Sequence, residues 1–366
     1  MAVTERTLWL LDQLRRTIGY QADDAVRTLT RAWLAAWDVL RDDWAAVIEE
    51  ILRIHAETGQ WPQPWVIGRL SRLNAAGAAT REALLTLTTQ ANATTGAGID
   101  AVVAATVAAE PEIMASQLPV RLAKAAIGRY AAAVRPSALE AIAIRAKQQV
   151  TQVLWPLSES AYQSMQRALI IGVAVGDNPR TVARDMLRRT EGNFNGGLAR
   201  AVNISRTEML DAYRSTSAQV HADNADVLAG WRWLSACDRR TCPSCWSMHG
   251  QLFPVEQPGP WDHQQGRCVR CPVVKGWDEL GIPDQEAPDL TPDAHALFAE
   301  LPEADQLQIM GPARLALLNT GLIFWTDLAM RRETPAWRPS YVPRPVRELQ
   351  ALAATRNSGL TGGHDG

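Results

Sequence analysis

Outside one window of 35 residues the chain contains no cysteine; Cys237, Cys242, Cys245, Cys268 and Cys271 all fall inside it. Cysteine used as scattered core filler would not cluster in this way. Lysine is almost as scarce: Lys124, Lys147 and Lys275 are three of 37 basic residues, and arginine supplies the rest. That bias fits a GC-rich genome better than a binding role. Phenylalanine (4) and tyrosine (5) are few beside 14 tryptophans, which are expected mostly in the core as anchors of long helices. No apolar run approaches the ~18 residues of a membrane helix; the longest candidate is Ala168 to Val175. The first residues, Met-Ala-Val-Thr-Glu-Arg, lack the pattern of a signal peptide. A soluble chain made in a reducing cytosol, with no membrane partner, is the expectation. A net charge of −2 excludes a protein that grips nucleic acid through bulk charge alone, and 47% hydrophobic residues exclude wholesale disorder.

The 366 residues suffice for two or three domains. Charge divides unevenly, at +1 for 1–150, +3 for 151–275 and −6 for 276–366. In the first part Trp33, Trp37, Leu40, Trp44, Val47, Ile51 and Ile54 recur at alternating steps of four and three, a heptad seam. Gly59 and Pro62 should end that helix. Helices are expected over about 65–92 and 97–110, with Pro111 ending the second. An alanine-rich stretch over about 120–174, interrupted by Pro136 and Pro156, follows. The seam can pack on its own chain in a bundle, or serve as an oligomerisation or docking surface; sequence leaves both open.

At Gly176-Asp177-Asn178-Pro179, Asp177 or Asn178 can cap a helix that Pro179 opens. Gly192 to Gly197 reads as a loop, followed by a second helix with Leu198, Val202, Met209 and Tyr213 on its buried side. Near Gly230 the period changes to two: Trp231 and Trp233 alternate with Arg232 and Leu234. Leu252 to Val255 and Val273–Val274 are further strand candidates. Short helices are expected at Glu303 to Met310 and Pro312 to Asn319, closed by Gly311 and Gly321. Trp337 to Pro345 reads as an extended arm over another surface, and Arg356 to Gly366 as disordered.

Clustered thiols in a chain without a signal peptide point to a metal rather than to disulfides. Cys242-Pro-Ser-Cys245 is a C-x2-C knuckle, and His263, Cys268 and Cys271 form a second half. Two ligand sets compete, Cys242/Cys245/Cys268/Cys271 and Cys242/Cys245/His263/Cys268. Both suit Zn2+, and spacing slightly favours the all-thiolate set. Four donors close the shell, so the metal should hold strands together rather than work on substrate. No His-x-Glu followed by Pro-Cys-x-x-Cys, no HExxH, no phosphate loop and no G-x-S-x-G is present. His55 and His221 stand in helical stretches as ordinary surface or core residues. Of Arg206 and Glu208, two apart in a helix, one should turn inward; Arg206 towards Asp238 is the expected pairing.

The series Gly176-Asp-Asn-Pro-Arg180, Ser205-Arg-Thr-Glu208, Trp233, Asp238-Arg-Arg-Thr-Cys242-Pro-Ser-Cys245, Gly250, His263 and Gly266-Arg-Cys268 resembles the phage Mu F-like head morphogenesis family, minor head proteins of tailed bacteriophages. The resemblance covers about 170–275, and the acidic tail resembles the corresponding segment of minor capsid proteins of actinobacterial phages. The family pattern ends in His-Pro-Asn-Cys-Arg-Cys. Here His263 and Cys268 keep their places, Gly266 replaces the first cysteine, and Cys271 is extra. The resemblance therefore implies the set Cys242, Cys245, His263 and Cys268 with a structural Zn2+. It also implies a non-enzymatic role at or near the portal vertex in procapsid assembly and DNA packaging. The implied partner is the portal protein, with the major capsid or scaffold protein as others, and the implied location is the virion, after assembly in the host cytoplasm. A zinc-stabilised protein that binds DNA non-specifically inside the head is the alternative, prompted by the basic central third. The expected fold is mainly α with a small α+β zinc-knuckle core: a helical bundle or arm (1–150), a head-morphogenesis core with short strands around the Cys/His cluster (151–276), and acidic helices with an extended tail (277–366).

Overall fold

A computed structural model describes residues 2–154, 157–175, 179–334 and 337–361. Seven helices come first: α1 (Glu5–Thr58), α2 (Pro64–Ile67), α3 (Ser71–Ala115), α4 (Val120–Ala133), α5 (Pro136–Leu154), α6 (Leu157–Val175) and α7 (Pro179–Asp223). Next are β1 (Leu228–Leu234), α8 (Pro243–Met248), β2 (Leu252–Phe253) and β3 (Val269–Val274). The chain ends with α9 (Ala294–Ala299), α10 (Glu303–Met310), α11 (Pro312–Asn319), a 3-10 turn (Trp325–Leu328), β4 (Ala329–Thr334), β5 (Trp337–Pro343) and α12 (Val346–Thr361). The fold is thus mainly α with a small β core. Among the described residues no helix is long and apolar enough to cross a membrane.

The chain forms two compact units, each discontinuous in sequence: 1–18, 103–142 and 210–366 in one, and 19–102 and 143–209 in the other. Among the described residues the second unit has helices and no strand. Its core takes the heptad seam, with Trp33, Trp37, Leu40, Trp44, Val47 and Ile51 buried. Trp44 Nε1 donates to Thr80 Oγ1 at 3.0 Å, and the rings of Trp37 and Phe194 lie 5.5 Å apart. These residues of the seam therefore pack on their own chain. Six tryptophans are buried (33, 37, 44, 231, 233 and 246), whereas Trp9 and Trp65 are exposed, so the core expectation holds for part of the set.

Several breakers read from sequence are overridden. Gly192 to Gly197 is not a loop: α7 runs through it. Each glycine costs a helix interior ~1 kcal/mol, but fully burying Phe194, Met186 and Thr190 on that helix outweighs it. Pro111 lies inside α3 rather than ending it, because Ile113, Met114 and Ala115 continue into the core. The helices expected over about 65–92 and 97–110 run together as α3 from Ser71, with Pro64–Ile67 a separate short helix before it. Of the tail expected to be disordered from Arg356, residues 356–361 are helical and 362–366 lie outside the described residues. Arg356 grips Asp327 through both nitrogens, at 2.5 and 3.1 Å, and α12 continues to Thr361. The capping residues Asp177 and Asn178, and Pro156, lie outside the described residues; α7 begins at Pro179.

Among the described residues the strands all lie in the first unit. β1 is central in an antiparallel three-stranded sheet, order β2-β1-β3, pairing Trp231 with Pro272, Arg232 with Cys271 and Trp233 with Arg270. Gly230 permits a close approach there: a Cβ would meet the Phe253 carbonyl oxygen at 2.4 Å. The Gln117 side chain clamps β3, donating to Pro272 O at 2.8 Å and accepting from Val274 N at 2.9 Å. Under the sheet lies a fully buried polar chain. Arg270 Nε donates to His221 Nδ1 at 2.9 Å, and His221 Nε2 lies 3.0 Å from Glu110 Oε2. His221 is thus a core histidine, whereas His55 stacks on Trp61 with centroids 4.1 Å apart. The extended arm exists, but as β5 paired with β4 in a hairpin, and Tyr341 N donates to Trp261 O at 2.8 Å.

Candidate metal centre

Two loops build the site, both in the first unit. In the first, between β1 and α8, Asp238 organises Asp238-Arg-Arg-Thr-Cys242. Its Oδ1 accepts from Arg240 N and Thr241 Oγ1, each at 3.0 Å. Arg267 closes on both carboxylate oxygens at 2.7 and 2.6 Å, a bidentate pair. That guanidinium, joined by Thr241 and the Arg240 amide, holds the Asp238 carboxyl well below its usual range against the effect of burial. Asp238 is therefore taken by Arg267, and Arg206 pairs instead with Asp23 in the other unit; Glu208 is the inward residue of the pair, at 3% exposure. The turn delivers Cys242 to the cap position of α8, with Pro243 opening the helix and Cys245 in its first turn.

The second loop runs from Trp261 to Cys268 and is tied to a carboxylate. Asp262 is buried; its Oδ1 accepts from His263 N at 2.8 Å and its Oδ2 from Cys268 N at 2.9 Å. Gly266 N donates to His263 O at 3.0 Å, and Arg214 Nη1 to Gly266 O at 3.0 Å. Burial works to raise the Asp262 carboxyl, but Arg214, His263 and the Cys268 amide outweigh it and hold it below its ordinary value.

The loops meet at the sulfurs. Donor atoms of Cys242, Cys245 and His263 lie within 4.8 Å of one another, as do those of Cys245, Asp262 and Cys268. Cys245 belongs to both groups: Cys242 and His263 meet it in one, Asp262 and Cys268 in the other. The electrostatics suit a cation. Cys242 is drawn down to about 4, by its hydrogen bond from Cys245 and then by His263. Cys245, the donor of that bond, is driven far up. His263 is raised to about 10 by Cys242, with Asp262 contributing. His263 Nδ1 lies 2.8 Å from the Gln264 carbonyl, to which it donates, so Nε2 is the nitrogen left for a ligand. A backbone carbonyl fixing the tautomer in this way is the usual support of a metal-binding imidazole. Thiols, an imidazole and a carboxylate gathered in these two groups are donors that could hold a metal ion.

Cys271 joins neither group. Residues 268 and 271 are an odd number apart in an extended segment, so their side chains leave opposite faces. Cys271 sits fully buried, opposite Arg232, and burial pushes its thiol up. Cys237 also stands apart, 3.1 Å from His249 Nδ1, with its thiol raised to about 12 by burial. Asp262 is the site residue that a search for cysteine and histidine misses. It is the only acidic residue between Glu256 and Asp278, but a lone aspartate carries no signature of its own.

Residues 163–272 match the profile of a family described as phage Mu protein F like protein. This segment is similar to phage Mu protein F. It includes the last part of α6, all of α7, β1, both loops and most of β3, and so contains every sulfur of the cluster. No curated protein and no solved structure matches the chain.

Proposed function

We propose that the chain is a minor head protein of a tailed bacteriophage, acting at the portal vertex in procapsid assembly and DNA packaging by docking and not by turnover. The observation that carries this reading is the Mu F-like match over 163–272, coincident with a Cys/His cluster built by two pinned loops. Residues 151–276 are its working core. Zn2+ held by Cys242, Cys245, His263 and Cys268 joins the β1–α8 loop to the 261–268 loop, a crosslink for strands too short to be stable alone. Structural zinc contributes ~10–16 kcal/mol in small peptides, ample for an element of this size. The partner is the portal protein, with the major capsid or scaffold protein also in contact. The location is the virion, after assembly in the host cytoplasm.

The test is co-expression with the neighbouring portal and capsid proteins. The chain should enter particles at sub-stoichiometric copy number, and a variant with Cys242 and Cys245 both replaced by Ser should be left out. Equal incorporation of that variant would remove the cluster from the docking account. DNA affinity that falls steeply with salt in the purified protein would instead favour the DNA-bound role inside the head.

A further inference from the structure

We infer that Asp262 is the positioning residue of the metal centre, a buried carboxylate that sets the backbones of His263 and Cys268 before an ion binds, and that Gly266 is glycine to leave room for it. This inference rests on reading the cluster as a metal centre. Asp262 spends one oxygen on each of the two ligand residues of its loop, Oδ1 on His263 N at 2.8 Å and Oδ2 on Cys268 N at 2.9 Å. One rigid group thereby fixes the spacing of two donors five residues apart. Both amides would otherwise face a site with little water, where an unmet N–H is costly.

The space the carboxylate uses belongs to residue 266. A Cβ there would fall 2.0 Å from Asp262 Cγ and 2.1 and 2.4 Å from its oxygens. Gly266 has no left-handed backbone that demands glycine, and the three nearest atoms that a Cβ would meet all belong to Asp262. Arg214, buried in α7, donates to the Gly266 carbonyl and supplies positive charge near the carboxylate. The second loop is therefore organised around an internal anion, with the sulfurs on one side and Arg214 as its counter-charge.

The experiment uses the full chain, Co2+ as a spectroscopic probe of the donor set and Zn2+ competition against a chelator for affinity. Asp262→Ala and Gly266→Ala should each weaken Zn2+ binding at least tenfold, with the thiolate–Co2+ absorption of the loaded protein unchanged. The double variant should bind like Asp262→Ala alone, because the added methyl then has nothing to displace. Asp262→Asn, which keeps one acceptor, should recover part of the loss. In the wild type, hydrogen exchange should find the His263 and Cys268 amides the most protected between 261 and 268, a measurement independent of whether any variant folds. Additive losses in the double variant, or exposed amides, overturn the assignment. A Co2+ spectrum altered by Asp262→Asn overturns it in favour of Asp262 as a direct ligand. Wild-type protein that binds neither ion overturns the metal centre itself and this assignment with it, whereas wild-type binding with an unaffected Asp262→Ala overturns only the assignment.

Discussion

Replacing Arg270 by Met removes the guanidinium at the centre of the buried polar chain. Arg270 is fully buried on β3 and uses every edge: Nε to His221 Nδ1 at 2.9 Å, Nη1 to Gln257 O at 2.8 Å, Nη2 to Val255 O at 2.6 Å. Its plane lies 4.4 Å from the Trp231 ring centroid. Burial draws the group down to about 9, against the pull of Glu110 and Glu256. Each acceptor orphaned in the core costs ~1–3 kcal/mol, and the lost cation over the indole ~0.5–2 kcal/mol. The methionine side chain returns ~1.5–3 kcal/mol of apolar burial. The balance is a loss of about 4 kcal/mol, within the range for breaking a buried pair from one side. Against a total stability of ~5–15 kcal/mol, this should lower the melting temperature by about 10 °C in a unit of this size. Hydrogen exchange of the β1–β3 amides reads the effect locally. Arg270→Lys keeps the charge without the fork and should restore little. An opening free energy within 1 kcal/mol of wild type for Arg270→Met would refute the claim that this chain of groups ties β3 to the helices.

Metal analysis of protein purified without chelator should find about one zinc per chain. Cys242→Ser should lose it, and Cys271→Ser, whose thiol faces the other side of β3, should keep it. Burial lowers His221, against the pull of Glu110, and lowers His249 as well. Below pH ~6.5 the unfolded chain therefore binds more protons than the folded one, and the urea midpoint should fall between pH 7.5 and 5.5. Gly192→Ala and Gly196→Ala lie in the interior of α7 with nothing within 4 Å of the added methyl, so each should stabilise by ~0.5–1 kcal/mol in urea unfolding. Destabilisation by both would restore the loop read from sequence.

The two short helices α10 and α11 were legible to the residue. Pro312 opens α11, and Gly311 and Gly321 stand past helix ends with positive φ. The alternation at Trp231 and Trp233 located β1, and the heptad located the buried face of α1. The failures share one physical cause: local breakers lose to burial that only the tertiary structure reveals. Phe194 against Trp37 carries α7 through its glycines, and Asp327 on Arg356 carries α12 onward. β4 was missed because Arg331, Arg332 and Glu333 give it no apolar alternation, and its pairing with β5 supplies the order. Four of the five residues in the cluster were visible because cysteine and histidine at those spacings have few other uses. Asp262 was not, since a lone aspartate carries no signature until the Gly266 Cα is seen beside it. The chain from Glu110 through His221 to Arg270 joins three separate elements that no local pattern connects.

The measurement that tests the central claim most directly is plaque formation by the phage after this gene alone is deleted, with electron microscopy of the lysate. A head morphogenesis protein predicts loss of infectivity with empty or aberrant heads, restored by the wild-type chain supplied in trans and not by Cys242→Ser. Deletion phage that build full heads, package DNA and form plaques at wild-type efficiency would contradict the account.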